Sequence, residues 1–233
     1  MSAVAVPHEE PLEPLRQAFR EELDQLRLQV ELMGVRVDEN LERMRQVLRY
    51  GDESVAAQAL HGDDVIDAMN VSLTERCYLL LGREAPVASD LRFIVSVLRI
   101  VSELERIGDL SLRVAKLAPQ HDLLSRASRA WDILVTYGDE AVELYRLALR
   151  AWSAQDLALA TELATVNREL GHYDEALVQE LHALHDPDAP RIAIGVFAAG
   201  RALERIADHS AIIGARLRYL LTGEPRFLAA EVR

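Results

Sequence analysis

The chain has little of what most other fold classes need. Aromatic residues make up 5% of its 233 residues, and there is one cysteine. No segment alternates β-branched and polar residues for long enough to suggest a strand. A β-sandwich is therefore excluded in favour of helix packed on helix, which the abundant Ala and Leu also favour. With Cys77 alone, an intramolecular disulfide is impossible; within the apolar run Tyr78–Leu81 it reads as a small core residue. Nothing approaches the ~20 apolar residues of a membrane helix, and the longest uncharged apolar piece, 192–200, is far too short. The N-terminus lacks the layout of a signal peptide, so a cytoplasmic location is expected. Basic residues are also in deficit: 26 Lys+Arg stand against 38 Asp+Glu, a formal charge of -12. That argues against nucleic acid and against direct docking on anionic lipid.

What the chain has in quantity is helical periodicity. Phe19, Leu23, Leu26, Val30, Met33, Val37, Leu41, Met44 and Leu48 recur at helical spacing and predict a helix over 15–50. Gly51 ends it and Asp52 offers the next start. A second helix reaches Leu81, and a third, capped by Ser89 or Asp90, runs to Ala118 before Pro119. Three more follow at 123–153, 156–185 and 191–222, the last two separated by a Pro-rich break. Six long helices are expected, with Trp131 and Trp152 in the core or in a dimer contact. The residues divide into a flexible tail 1–13, a first three-helix bundle 14–119, a second 120–223 and a frayed tail 224–233.

The two halves share a phrase. Glu103-Leu104-Glu105-Arg106-Ile107-Gly108-Asp109 returns as Ala202-Leu203-Glu204-Arg205-Ile206-Ala207-Asp208, with Glu105 and Glu204 99 residues apart. Such a repeat implies internal duplication, hence two tandem three-helix bundles related by pseudo-twofold symmetry, all-α throughout.

In each phrase Glu and Asp are four residues apart and share a helix face. Glu105 pairs with Asp109 and Glu204 with Asp208, while Asp63 and Asp67 form a third such pair on the second helix. If the second and third helices are antiparallel, Asp63, Asp67, Glu105 and Asp109 converge into an oxygen-rich cluster suited to a cation. The competing reading is surface ion pairing, Asp109 with Arg113 and Glu204 with Arg201. After Asp208 the same face carries the small residues Ala211 and Ala215, which admit close approach. A ferritin-like di-iron enzyme needs a Glu-x-x-His pair on each of two helices, but only Glu169-x-x-His172 fits. Phosphate loops, nucleophile elbows and zinc-protease motifs are missing from the sequence, so a non-enzymatic role is expected.

Those residues carry a resemblance. Pro86-Val87-Ala88-Ser89-Asp90-Leu91-Arg92 followed by the Glu105 phrase, with Phe19, Glu22-Leu23, Met33-Gly34 and Leu203 to His209, resembles the PhoU family over nearly the whole chain. The resemblance implies a pair of three-helix bundles and iron or zinc held at surface carboxylate clusters. Carried over, the metal residues would be Asp63, Asp67, Glu105 and Asp109, with Glu204 and Asp208 in the second repeat. There Asn167 and Gly171 stand where the family has acids, leaving Glu169, His172, Asp174 and Glu175 as alternatives. The resemblance further implies a negative regulator of phosphate uptake and phosphate-starvation signalling. It would be an adaptor between a phosphate ABC transporter ATPase and a phosphate-sensing histidine kinase, and a homodimer. The alternatives are an accessory subunit of another transporter and a carboxylate-bridged metalloenzyme.

Overall fold

The local chemistry of the chain sets most helix ends. In the computed structural model, which describes residues 12–84 and 86–232, α1 spans Leu12–Tyr50. It stops at Gly51, whose φ of 66° only glycine adopts freely and whose N–H closes on the Val47 carbonyl at 2.8 Å. Asp52 then accepts from the Ser54 and Val55 amides at 2.8 and 3.3 Å and opens α2, Glu53–Glu84. α3 covers Ala88–Ala115. Its N-cap is Val87 and no side chain caps it, so Ser89 and Asp90 lie inside the first turn. Asp90 there faces the positive end of the helix dipole. The tail expected at 1–13 falls outside the described residues up to residue 11, and α1 already includes residues 12 and 13.

Pro119 does not simply end a helix. A 3-10 turn, Ala118–Gln120, leads into the short α4, His121–Leu124, and the fourth long helix, α5, starts only at Ser128 and runs to Ala154. The fifth predicted helix is two. Asp156 caps α6, Leu157–Leu170, by accepting from the Ala158 and Leu159 amides, and Gly171 separates it from α7, His172–His182. α8 spans Ala189–Thr222. The C-terminal tail is not frayed, because Pro225–Val232 forms a 3-10 helix packed on α8. Phe227 lies under the Arg218 guanidinium at 3.9 Å. No strand occurs among the described residues.

α1, α2 and α3 pack on one another as one bundle; α5, α6 with α7, and α8 form the second. The bundles join along two lines, α3 on α8 and α1 on α5, into one continuous core. At the join Trp152, Tyr145, Val30, Ile100, Leu104 and Ile213 meet from four helices. Trp131 and Trp152 are both core residues, as is Cys77, whose thiol burial pushes up to about 12. Tyr145 donates to the Gly34 carbonyl at 2.7 Å and Trp131 to that of Leu48 at 3.1 Å, so both buried donors are satisfied across the join. Around them Asp139 takes Arg45 and Arg49, and Arg146 takes Asp38 and Glu42. Deeper, between α3 and α8, the buried side chains of Glu103 and His209 meet at 2.6 Å.

Gly223, the α8 C-cap, has a φ of 74°, and a β-carbon there would run into the Arg92 guanidinium. Arg92, the end of the Pro86–Arg92 motif, thus lies against the negative end of α8. Gly223→Ala should lower unfolding free energy by about 1–2 kcal/mol, the cost of left-handed backbone in an L-residue. Urea unfolding measures it, and an unchanged midpoint would show that the cap relaxes freely.

Candidate carboxylate sites

α2 and α3 bring four of the sequence-predicted residues to one face. Asp63 is 8% exposed, Glu105 half-buried, and Asp67 and Asp109 are exposed. Burial, then the charges of Asp109 and Asp67, raise the Asp63 carboxyl to about 6, with Lys116 opposing and Asp64 adding to the rise. Burial also raises Glu105, again with Asp109 and Asp67, against Arg106 and His209. Asp63 and Glu105 therefore each lie in the field of Asp67 and Asp109, and Gly108 faces α2 between them. A β-carbon there would stand 3.3 Å from Ile66 and 3.4 Å from Asp63 Oδ1.

Among the described residues, none of the four accepts a hydrogen bond or joins an ion pair, so the Asp109–Arg113 pair is not made. Asp63 Oδ1 is buried without any partner, a costly arrangement for a carboxylate. The donor set fits a hard or borderline cation in its chemistry. It is not a preformed cage: among the described residues no group of three or more His, Cys, Asp or Glu side chains is arranged to grip an ion.

The second face differs. Glu204 and Asp208 of α8 line a cleft of about 470 Å³ with Tyr137, Asn167, Gly171 and Asp174, floored by Ala211 and Ala215. Asn167 donates its amide to Asp208 Oδ1 at 2.9 Å. Tyr137 donates to Asp174 Oδ2 at 3.4 Å, a long bond, and Arg201 pairs with Glu204. Burial raises Asp174, and Asp208 adds to that, while Arg201 and Tyr137 pull it back. Of the four alternatives, Asp174 enters the cleft. Glu169, His172 and Glu175 do not line it, and His172 Nδ1 turns to the Glu169 carbonyl at 2.6 Å. Tyr137 had no signal in the sequence, since an aromatic at a core spacing reads as core. The Glu103–His209 pair was equally unforeseen, although an acid beside Leu104 on a buried stripe was its trace.

Fold and sites together define an all-helical tandem-repeat protein whose equivalent faces carry paired carboxylates. The PhoU domain family model matches residues 30–118 and 134–217, once in each half. A phosphate-specific transport system accessory protein PhoU homolog from Pseudomonas putida is 31% identical over 211 residues, 90% of this chain and 82% of its own. The crystal structure of PhoU from Pseudomonas aeruginosa superposes with a TM-score of 0.84 at 31% identity, covering 88% of this chain and 100% of that one. The phosphate transport system regulatory protein PhoU from Streptococcus pneumoniae follows at 0.79 and 28%, covering 88% and 98%. The chain belongs to the PhoU family.

Proposed function

We propose that the protein is a non-enzymatic accessory regulator of phosphate transport. It links the ATPase of a phosphate ABC transporter to a phosphate-sensing histidine kinase, restrains uptake when phosphate is plentiful, and works in the cytoplasm as a homodimer. The family match in both halves, backed by likeness to regulatory and accessory proteins of phosphate transport over nearly the whole chain, carries the reading. The physical traits suit an adaptor. Among the described residues no helix is long and apolar enough to cross a membrane. Apolar side chains such as Leu28 and Leu32 on α1 are exposed, and the chain as a whole carries a formal charge of -12, a composition that suits basic, partly apolar partner grooves.

On the first face we infer that Asp63, Asp67, Glu105 and Asp109 hold iron or zinc. The orphaned, buried Asp63 Oδ1 supports this, because an unpartnered acid among three others is stabilised by a cation. A bound ion would supply the positive charge that lets the four carboxylates share one face, and the residues themselves would then order the α2–α3 surface. Deleting the protein should give high alkaline phosphatase activity in phosphate-rich medium, returning to baseline on complementation. Activity that stays low would remove the regulatory role and favour another transporter as client.

A further inference from the structure

The two carboxylate faces descend from one repeat, yet they meet their charge in opposite ways. On the first, four acids have no hydrogen-bond or ion-pair partner among the described residues, and the nine-tenths buried Asp63 leaves an oxygen unpartnered. On the second, Asn167 donates to Asp208 and Tyr137 to Asp174, while Glu204, whose Oε2 has no hydrogen-bond partner, is ion-paired with Arg201. Asn167 of α6 and Gly171 just past its end are four residues apart and line the cleft with Glu204 and Asp208, as Asp63 and Asp67 are four apart on α2 facing Glu105 and Asp109. Where the first face has two acids, the second has an amide and a glycine.

We propose that the second face has been closed to metal ions, and that the protein binds cations on its first repeat alone. An amide donor at Asp208 does the work a cation would do. A cation entering the cleft would break the Asn167–Asp208 bond and meet Arg201 on Glu204, with Arg168 and Arg218 also lining the space. Glu204 and Asp208, ligands by resemblance, thus become structural acceptors. This inference rests on the cation reading of the first face, and the test separates the two.

The experiment is equilibrium dialysis of the chelator-stripped full chain against Zn²⁺, with bound zinc counted by elemental analysis and folding checked by circular dichroism. Asp63→Asn should weaken zinc uptake by at least tenfold, and so should Asp109→Asn, an exposed site where folding is not at stake. Asp208→Asn should leave uptake within twofold of the parent. The double variant Asn167→Asp with Gly171→Asp should roughly double the zinc held at saturation; Gly171 has ordinary helical dihedrals, a β-carbon there would stand 3.3 Å from the Arg168 carbonyl, and circular dichroism checks that the variant folds. A loss in Asp208→Asn equal to that in Asp109→Asn would overturn the proposal, as would a zinc-binding parent whose double variant gains nothing. Uptake by the double variant but not by the parent would sink the cation reading of the first face while upholding the closure of the second. No uptake by either would sink both.

Discussion

Trp152→Ala should cost the protein about 3–5 kcal/mol of unfolding free energy, the range for emptying a large aromatic site in a packed core. Trp152 is 1% exposed and stacks on Phe93, with ring centroids 6.3 Å apart. Its surroundings leave a residual void of only about 10 Å³, lined by side chains from α1, α3, α5 and α8. The missing indole therefore removes contacts from both bundles at once. In a chain whose total stability is of order 5–15 kcal/mol this is a large fraction, with a fall in melting temperature on the order of 10 °C. Urea unfolding followed by circular dichroism tests it. A loss below about 1 kcal/mol would mean that the four helices collapse into the space.

Asp63→Asn should act in the opposite direction. In metal-free protein at pH 8 it should raise stability by about 1–2 kcal/mol, a figure held below the full linkage value because water reaches the neighbouring acids. The sign follows from proton binding. The folded carboxyl titrates at about 6, whereas the unfolded one titrates near the ordinary ~3.9. Between those values the native state holds the extra proton, so wild-type stability falls as pH rises from about 4 to about 6 and stays low above. The substituted amide never ionises, and the variant's advantage should shrink to nothing near pH 4. Added Zn²⁺ should reverse the order at pH 8, since only the parent is stabilised by a ligand of the native state. A variant equally stable to the parent across pH 4–8 would show that the Asp63 charge is not confined.

Much of this fold could be read directly wherever a helix end has its own chemistry. Gly51, Asp52, Asp156 and Gly223 each terminate or open a helix through one backbone or side-chain interaction, and each was visible as a residue type. Gly171 was not a visible break, because it keeps right-handed dihedrals of -56° and -21° and the apolar period runs on through it. Leu123 and Leu124 likewise continue the period of the fourth helix, but Leu124 turns away to pack against Gly195 of α8. Phe227 anchors the C-terminal turn through a cation that no local pattern points to. The first carboxylate face was legible because two four-residue spacings on antiparallel helices suffice to assemble it. In the second face Tyr137 and Asp174 arrive from α5 and α7, whose register against α8 depends on how the whole half packs.

The buried Glu103–His209 contact sits at only one of two equivalent places. Under the 99-residue offset its counterpart pairs Ala202 with Leu110, both apolar and buried. Two copies of the first half, docked as the halves dock here, would seat Glu103 against Leu110, stranding an acid in a dry interface. Two copies of the second would set His209 against Ala202 and lose its acceptor. One off-centre hydrogen bond thus makes each half prefer the other to itself, as a lock with a distinct key.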